Sequence, residues 1–167
     1  MRVLAIDASL RNTGVAVVDG NNGKPLALYY GTIRNKPALA SSACLVTIRE
    51  QLADLIRQHQ PDSCALESVI YVQSYRTAIL LGAARGAAIL AAAEKGLPVF
   101  EYAPRRIKQA TVGRGAAQKS QVAFMVRALL GLTETPDDDA ADALAIGLTH
   151  LRAQEGKRAG LPGPDQI

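Results

Sequence analysis

The chain has 167 residues, 49% of them hydrophobic, with 19 Lys and Arg against 15 Asp and Glu for a formal net charge of +4. That length and apolar content fit one domain with a real core and leave little room for a second, and the small positive excess is only a mild lean toward an anionic partner. Two cysteines, Cys44 and Cys64, without a CxxC or a His pairing, argue against a disulfide framework or a zinc site and fit a reduced, cytoplasmic setting.

RVLAID (Arg2–Asp7) is a short apolar run rich in strand formers, and the chain enters it directly rather than through a secretory signal. TGVAVVDG (Thr13–Gly20) follows a short turn as a second strand. GNNGK is dense in turn residues, and PLALYYGTI after it is a third strand. Short turns join these three, which predicts an antiparallel meander. From Leu39 to about Gln58 the pattern turns helical: Leu45, Ile48, Leu52, Leu55 and Ile56 recur at three- and four-residue steps. DSCALES (Asp62–Ser68) is a fourth strand. A long helix from about Ser74 to Lys95 follows and ends at Gly96. Its apolar run, Thr77 to Ala93, is interrupted by Arg85 and two glycines, and its 17 residues are at the short limit for spanning a bilayer. It reads as a buried helix of a soluble protein, with no membrane partner. LPVFEY is the fifth strand. Beyond it the chain is helical, with a loop at VGRG (Val112–Gly115), a helix over roughly Ala117–Leu130, and a last helix from near Asp138 to around Gln154. The Gly/Pro-rich tail, residues 156–167, reads as disordered. Together the elements describe one α/β domain over residues 1–155, a five-stranded mixed sheet flanked by helices.

Four acids fall where this arrangement would gather them. Asp7 ends the first strand and Glu67 the fourth, each after an apolar run. If those strands pair in parallel, both acids emerge at the carboxyl edge of the sheet, where open α/β sheets place ligands. PDDDAADALA, at the start of the last helix, adds Asp139 and Asp142, an i, i+3 pair on one helix face. Converging carboxylates suit hard divalent cations, and two such ions can activate water and stabilise the leaving oxygen in phosphodiester hydrolysis. Each acid alone also has an ordinary reading. Asp137 and Asp138, after Pro136, read as the cap and first turn of the helix. Asp7 alone fits a turn residue, and Glu67 alone fits a salt-bridge partner.

From Tyr102 to Thr133 there is no Asp or Glu, while Arg105, Arg106, Lys108, Arg114, Lys119 and Arg127 all fall there. One-sign segregation directly before an acidic cluster suits a polyanion that is gripped and cut; a plain solvated basic helix is the alternative. In LLGAARGAA, Gly82, Ala83, Gly86 and Ala87 make one helix face small. Either close packing within the chain or a helix contact across a two-fold axis accounts for it.

The stretches IDASLRNTG, CALES, LGAARGAAI, VFEYAPRRIKQATVGRGAAQKSQV and DDDAADALAIGLTH together resemble the RuvC family of Holliday junction resolvases, from about Arg2 to His150. The resemblance implies a ribonuclease H-like fold and a homodimer that binds a four-way DNA junction and nicks two strands of like polarity symmetrically, with Mg²⁺ or Mn²⁺. It places Asp7, Glu67, Asp139 and Asp142 as the metal-holding catalytic carboxylates, two ions per site, and Lys108 and Lys119 as DNA contacts beside them. Arg105, Arg106 and Arg114 then stand to anchor the flanking arms. A RuvAB-type branch-migration complex is the partner the family implies. Two features depart from its pattern. Ala8-Ser9-Leu10 follows the first Asp where Pro-Gly-Ser/Thr is usual, and Ile70 stands where a base-stacking Phe is common, with Tyr71 next to it as a wedge or as a packing residue. The altered loop keeps open a branched-DNA binder that does not cut. A ribonuclease H-like nuclease acting on another nucleic-acid structure is the third reading.

Overall fold

A computed structural model describes residues 1–20, 23–70 and 74–167. Its strands are β1 (Arg2–Asp7), β2 (Asn12–Asp19), β3 (Leu26–Arg34), β4 (Ser63–Glu67), β5 (Val99–Tyr102) and β6 (Asp165–Gln166). They form one sheet in the order β3-β2-β1-β4-β5-β6. The meander β1–β2–β3 is antiparallel, as its short turns predict, while β1, β4 and β5 run parallel. Helices α1 (Ser41–His59) and α2 (Tyr75–Ala93) cover one face. Helices α3 (Pro104–Val112), α4 (Lys119–Leu130) and α5 (Asp138–Arg158) cover the other.

The interiors of β1 and β4 are apolar on both faces, because both faces are covered. Leu4 and Ile6 of β1, with Val15, Val17, Cys64 and Leu66, join the core under α1 and α2. Val3 and Ala5, with Ala16, Val18, Ala65 and Tyr102, join the core under α3, α4 and α5. The alternation follows from the two-residue period of a strand. Both cysteines are buried and free; Cys64 packs as a small apolar group, while the Cys44 sulfur also accepts from Arg11 at 3.2 Å.

The structure departs from the sequence expectations in two places. The sheet has six strands rather than five. Where the tail was expected to be disordered, α5 runs on to Arg158, and β6 pairs antiparallel with β5, Phe100 opposite Gln166 and Glu101 opposite Asp165. The cause is the otherwise open edge of β5, whose free N–H and C=O groups template a further strand without any hydrophobic pattern in it. The second departure is α2. It is buried only along Ala84, Ala88, Ala91 and Ala92, while Ile79 is 66% and Leu90 49% exposed. A helix that apolar was expected to be covered all round; within this chain it is covered on one stripe.

Candidate active site

The parallel pairing of β1 with β4 brings Asp7 and Glu67 out at the same sheet edge. Glu67 lies opposite Tyr102, and the ladder continues past it through Ser68 N–H to the Tyr102 carbonyl at 2.9 Å. The Arg85 guanidinium of α2 donates to the Glu67 carbonyl at 3.3 Å and forms an ion pair with Glu101. Glu67 is thus held by its backbone on two sides, which leaves its carboxylate free to serve the site.

Helix α5 begins across this edge. Asp137 is its N-cap, accepting from Ala140 N–H at 2.9 Å and pairing with Arg34 at 2.8 Å. Asp138 sits exposed in the first turn. Asp139 and Asp142 follow, near enough for their charges to act on Asp7; Asp142 lines the cavity beside Asp7 and Glu67, and Asp139 does not. A residue absent from the sequence reading makes this approach possible. Gly14 pairs with Asp7 across β1 and β2, and a Cβ placed on it would stand 2.0 Å from the Asp139 carbonyl oxygen. The backbone of α5 rests on the bare Cα of Gly14. A lone glycine inside a strand is the signal that points to such a close approach.

Asp7, Glu67 and Asp142 line a cavity of about 330 Å³ together with Lys108, Lys119 and Ile146. A second cavity, about 270 Å³, lies on the α2 side of Asp7 and Glu67 and is lined by Val69, Ile70, Leu81 and Arg85 among others. Burial, and then the charges of Asp142 and Asp139, push Asp7 up to about 6. Burial, and then Asp7 and Asp142, push Glu67 up to about 7, with Lys119 and Lys108 pulling the other way. Asp139 is raised by burial and by Asp137 and Asp142. Asp142 raises Lys119, whose ammonium lies 3.1 Å from the Asp142 carboxylate.

This is a cluster of partly buried carboxylates, with Lys119 and Lys108 as counter-ions at its open side. An all-oxygen donor set in that state fits hard divalent cations. Among the described residues no three carboxylates stand close enough to form a ready ligand cluster. Like charges at a shared edge repel until a cation sits between them, so ligation requires the side chains to draw in.

The remaining expected contacts divide. Lys108 and Lys119 reach the site. Arg105 and Arg106 are exposed in the first turn of α3, and Arg106 lies 5.4 Å from the centre of the Tyr102 ring. Arg114 is exposed in the loop before α4. Ile70 is 68% exposed at the mouth of the second cavity. Tyr71 lies outside the described residues. The departing loop Ala8-Ser9-Leu10 is closed by its own bonds: Ser9 Oγ donates to the Asn12 carbonyl at 2.8 Å, Thr13 Oγ1 donates to the Ser9 carbonyl at 2.5 Å, and Leu10 enters the core. The loop therefore secures Asp7 without the usual Pro-Gly turn. Arg85, the one charge in the apolar run of α2, is the second residue the sequence reading left without a role.

A sequence model described as crossover junction endodeoxyribonuclease RuvC matches residues 3–150. The chain belongs to the RuvC family. A RuvC of Akkermansia muciniphila is 55% identical over 159 residues, covering 95% of each chain. A RuvC of Saccharophagus degradans is 47% identical over 91% of this chain and 88% of its own. Among solved structures, that of T. thermophilus RuvC in complex with Holliday junction substrate superposes with a TM-score of 0.88 at 34% identity, covering 99% of both chains. The RuvC fold is ribonuclease H-like, and RuvC nucleases depend on a divalent metal ion.

Proposed function

We propose that this protein is a structure-specific endodeoxyribonuclease that resolves Holliday junctions by symmetric nicking in DNA recombination and repair. The observation that carries the reading is the convergence of carboxylates from β1, β4 and α5 with Lys108 and Lys119 at one sheet edge. Asp7, Glu67, Asp139 and Asp142 would hold two Mg²⁺ ions, for which Mn²⁺ substitutes. Such ions supply an activated water and charge stabilisation at the leaving oxygen. Lys108 and Lys119 offset phosphate charge and set the strand against the carboxylates. Arg105, Arg106 and Arg114 grip the backbone of the flanking arms, a contribution that falls with added salt. In the hydrolysis, water oxygen bonds to phosphorus, one bridging P–O bond breaks, and the proton lost by the water is balanced by one gained on the leaving oxygen.

The working form in this reading is a homodimer in the cytoplasm, with one nuclease domain per chain that includes β6. A Cβ built on Gly82 or Gly86 meets nothing within 4 Å, and exposed Ile79 and Leu90 lie on the same helix. Among the described residues nothing fills the space over Gly82 and Gly86, which supports a second copy across a two-fold axis. Two sites related by that axis match the symmetry of a four-way junction. A RuvAB-type branch-migration complex completes the reading as partner, and no membrane is involved. Sedimentation with and without junction DNA tests the stoichiometry. A protein that stays monomeric on the junction would move the reading to a nuclease of another nucleic-acid structure.

A further inference from the structure

The last helix carries a fully buried histidine that the proposed chemistry does not use. His150 is 0% exposed. Its Nε2 is 3.0 Å from Ser63 Oγ, and its Nδ1 is 2.7 Å from the Tyr102 hydroxyl. Burial pushes its pKa down to about 4, so the ring is neutral near pH 7. A neutral imidazole has one N–H donor and one acceptor nitrogen. Either tautomer engages both hydroxyls, because each hydroxyl can donate or accept.

The placement of these three residues relates to the site above them. Asp139, Asp142, Ile146 and His150 follow one another at steps of three, four and four, one face of α5. Ile146 lines the same cavity as Asp142. His150 lies eight residues, a little over two turns, from Asp142, about 12 Å along the helix at its standard rise. Ser63 starts β4, and Glu67 ends it four residues on, about 13 Å along a strand. Tyr102 is the residue directly opposite Glu67 on β5. The two lengths match: the His150 end of α5 meets Ser63 at the start of β4 while Asp142 shares a cavity with Glu67 at its end. Beyond the Asp137 cap and the Gly14 contact at its start, α5 lies on the sheet through Leu, Ile and Ala contacts, which fix position along its axis only weakly. Two hydrogen bonds in a dry core select one position.

We infer that Ser63, His150 and Tyr102 form a register lock, in which His150 acts as a positioning residue that holds Asp142 at the height of Glu67. The inference rests on the proposed metal-holding role of those acids. Groups bonded directly to metal ligands change affinity or activity by about 10–100-fold when lost; His150 acts from two turns away, and an effect at the low end of that range, about tenfold, is expected here.

The test uses full-length protein and Mn²⁺ alone as the probe, titrated calorimetrically without DNA, followed by single-turnover nicking of a four-way junction. His150→Phe keeps a ring and removes the bonds to Ser63 and Tyr102, along with a long contact from Gln154 at 3.5 Å. His150→Gln keeps a polar group at the Nε2 level toward Ser63. Leu52→Ala, on α1 in the opposite core, supplies a destabilised control away from the lock. The lock predicts that His150→Phe weakens Mn²⁺ binding about tenfold and slows nicking, that His150→Gln recovers most of the binding, and that Leu52→Ala leaves it unchanged. Wild-type Mn²⁺ affinity in folded His150→Phe, or an equal loss in Leu52→Ala, would overturn it. If His150→Phe fails to fold, Tyr102→Phe and Ser63→Ala carry the same comparison, each removing one bond. Wild-type protein that binds Mn²⁺ but nicks no junction would defeat the proposed activity and leave the lock to the Mn²⁺ result. Wild-type protein that binds no Mn²⁺ would overturn the lock itself.

Discussion

Replacing Gly14 by alanine adds one methyl group at the point where α5 rests on β2. That carbon would stand 2.0 Å from the Asp139 carbonyl oxygen and 2.6 Å from the carbonyl carbon. Both are backbone atoms, so no side-chain rotation relieves the contact. To reach an ordinary separation of 3.4 Å, the start of α5 must retreat by roughly 1.4 Å, carrying Asp139 and Asp142 away from Asp7. A displacement of about 1 Å in reacting geometry costs about 100-fold in rate, while overpacking a core contact costs about 1–3 kcal/mol of stability. Gly14→Ala should therefore fold, melt several degrees lower, and nick a four-way junction about 100-fold more slowly in single turnover at a temperature well below its melting point. Gly147→Ala is the comparison. Its Cβ meets a Val18 methyl at 2.8 Å, two turns below the acids, and a methyl can give way. A Gly14→Ala protein that cleaves within threefold of wild type would refute the idea that this bare Cα sets the height of α5 over the site.

Asp7→Asn should bind the junction as wild type does, by gel shift, and lose at least ~100-fold in nicking, more than an outer positioning group would cost; retained nicking would remove Asp7 from the metal site. The same variant reports on pH. Asp7 in the folded chain titrates near 6, above its ordinary 3.8, so the folded state holds an extra proton between those values and its stability falls as pH rises through them. His150, lowered to about 4, works in the opposite sense, so the informative quantity is the difference between wild type and variant. In EDTA the melting temperature of Asp7→Asn relative to wild type should climb from about pH 4 to pH 7, reaching a gain on the order of 2 kcal/mol, or roughly 4–8 °C. A flat difference across that range would show that Asp7 carries no such burden. Lys119→Gln should slow nicking about 10-fold or more with little change in melting temperature, because an ion pair this exposed contributes only about 0–1 kcal/mol; a large drop in stability would make Lys119 structural.

The sheet was legible because each strand is a short apolar run between turn residues, and the meander followed from turn length alone. The start of α5 was legible too, since a cap after Pro136 is a local pattern. What escaped the sequence depends on partners far along the chain. Gly14 shows itself as an odd glycine in a strand, but its reason is the backbone of Asp139. Arg85 shows itself as a lone charge, but the carbonyl of Glu67 and the carboxylate of Glu101 that hold it are set by tertiary packing. His150 is one polar residue in an apolar stripe, and only the strand pairing brings Ser63 and Tyr102 to it. β6 has no periodicity to detect, because edge pairing needs backbone groups and no particular side chains. The apolar run of α2 gives total apolarity without stating which stripe this chain covers.

The most direct test is a nicking assay on a synthetic immobile four-way junction, with linear duplex and RNA–DNA hybrid as controls, with and without Mg²⁺. Paired symmetric nicks on the junction alone, dependent on the metal, are the expected result. Cleavage of the duplex or the hybrid, or binding of the junction with no nick under either condition, would contradict it.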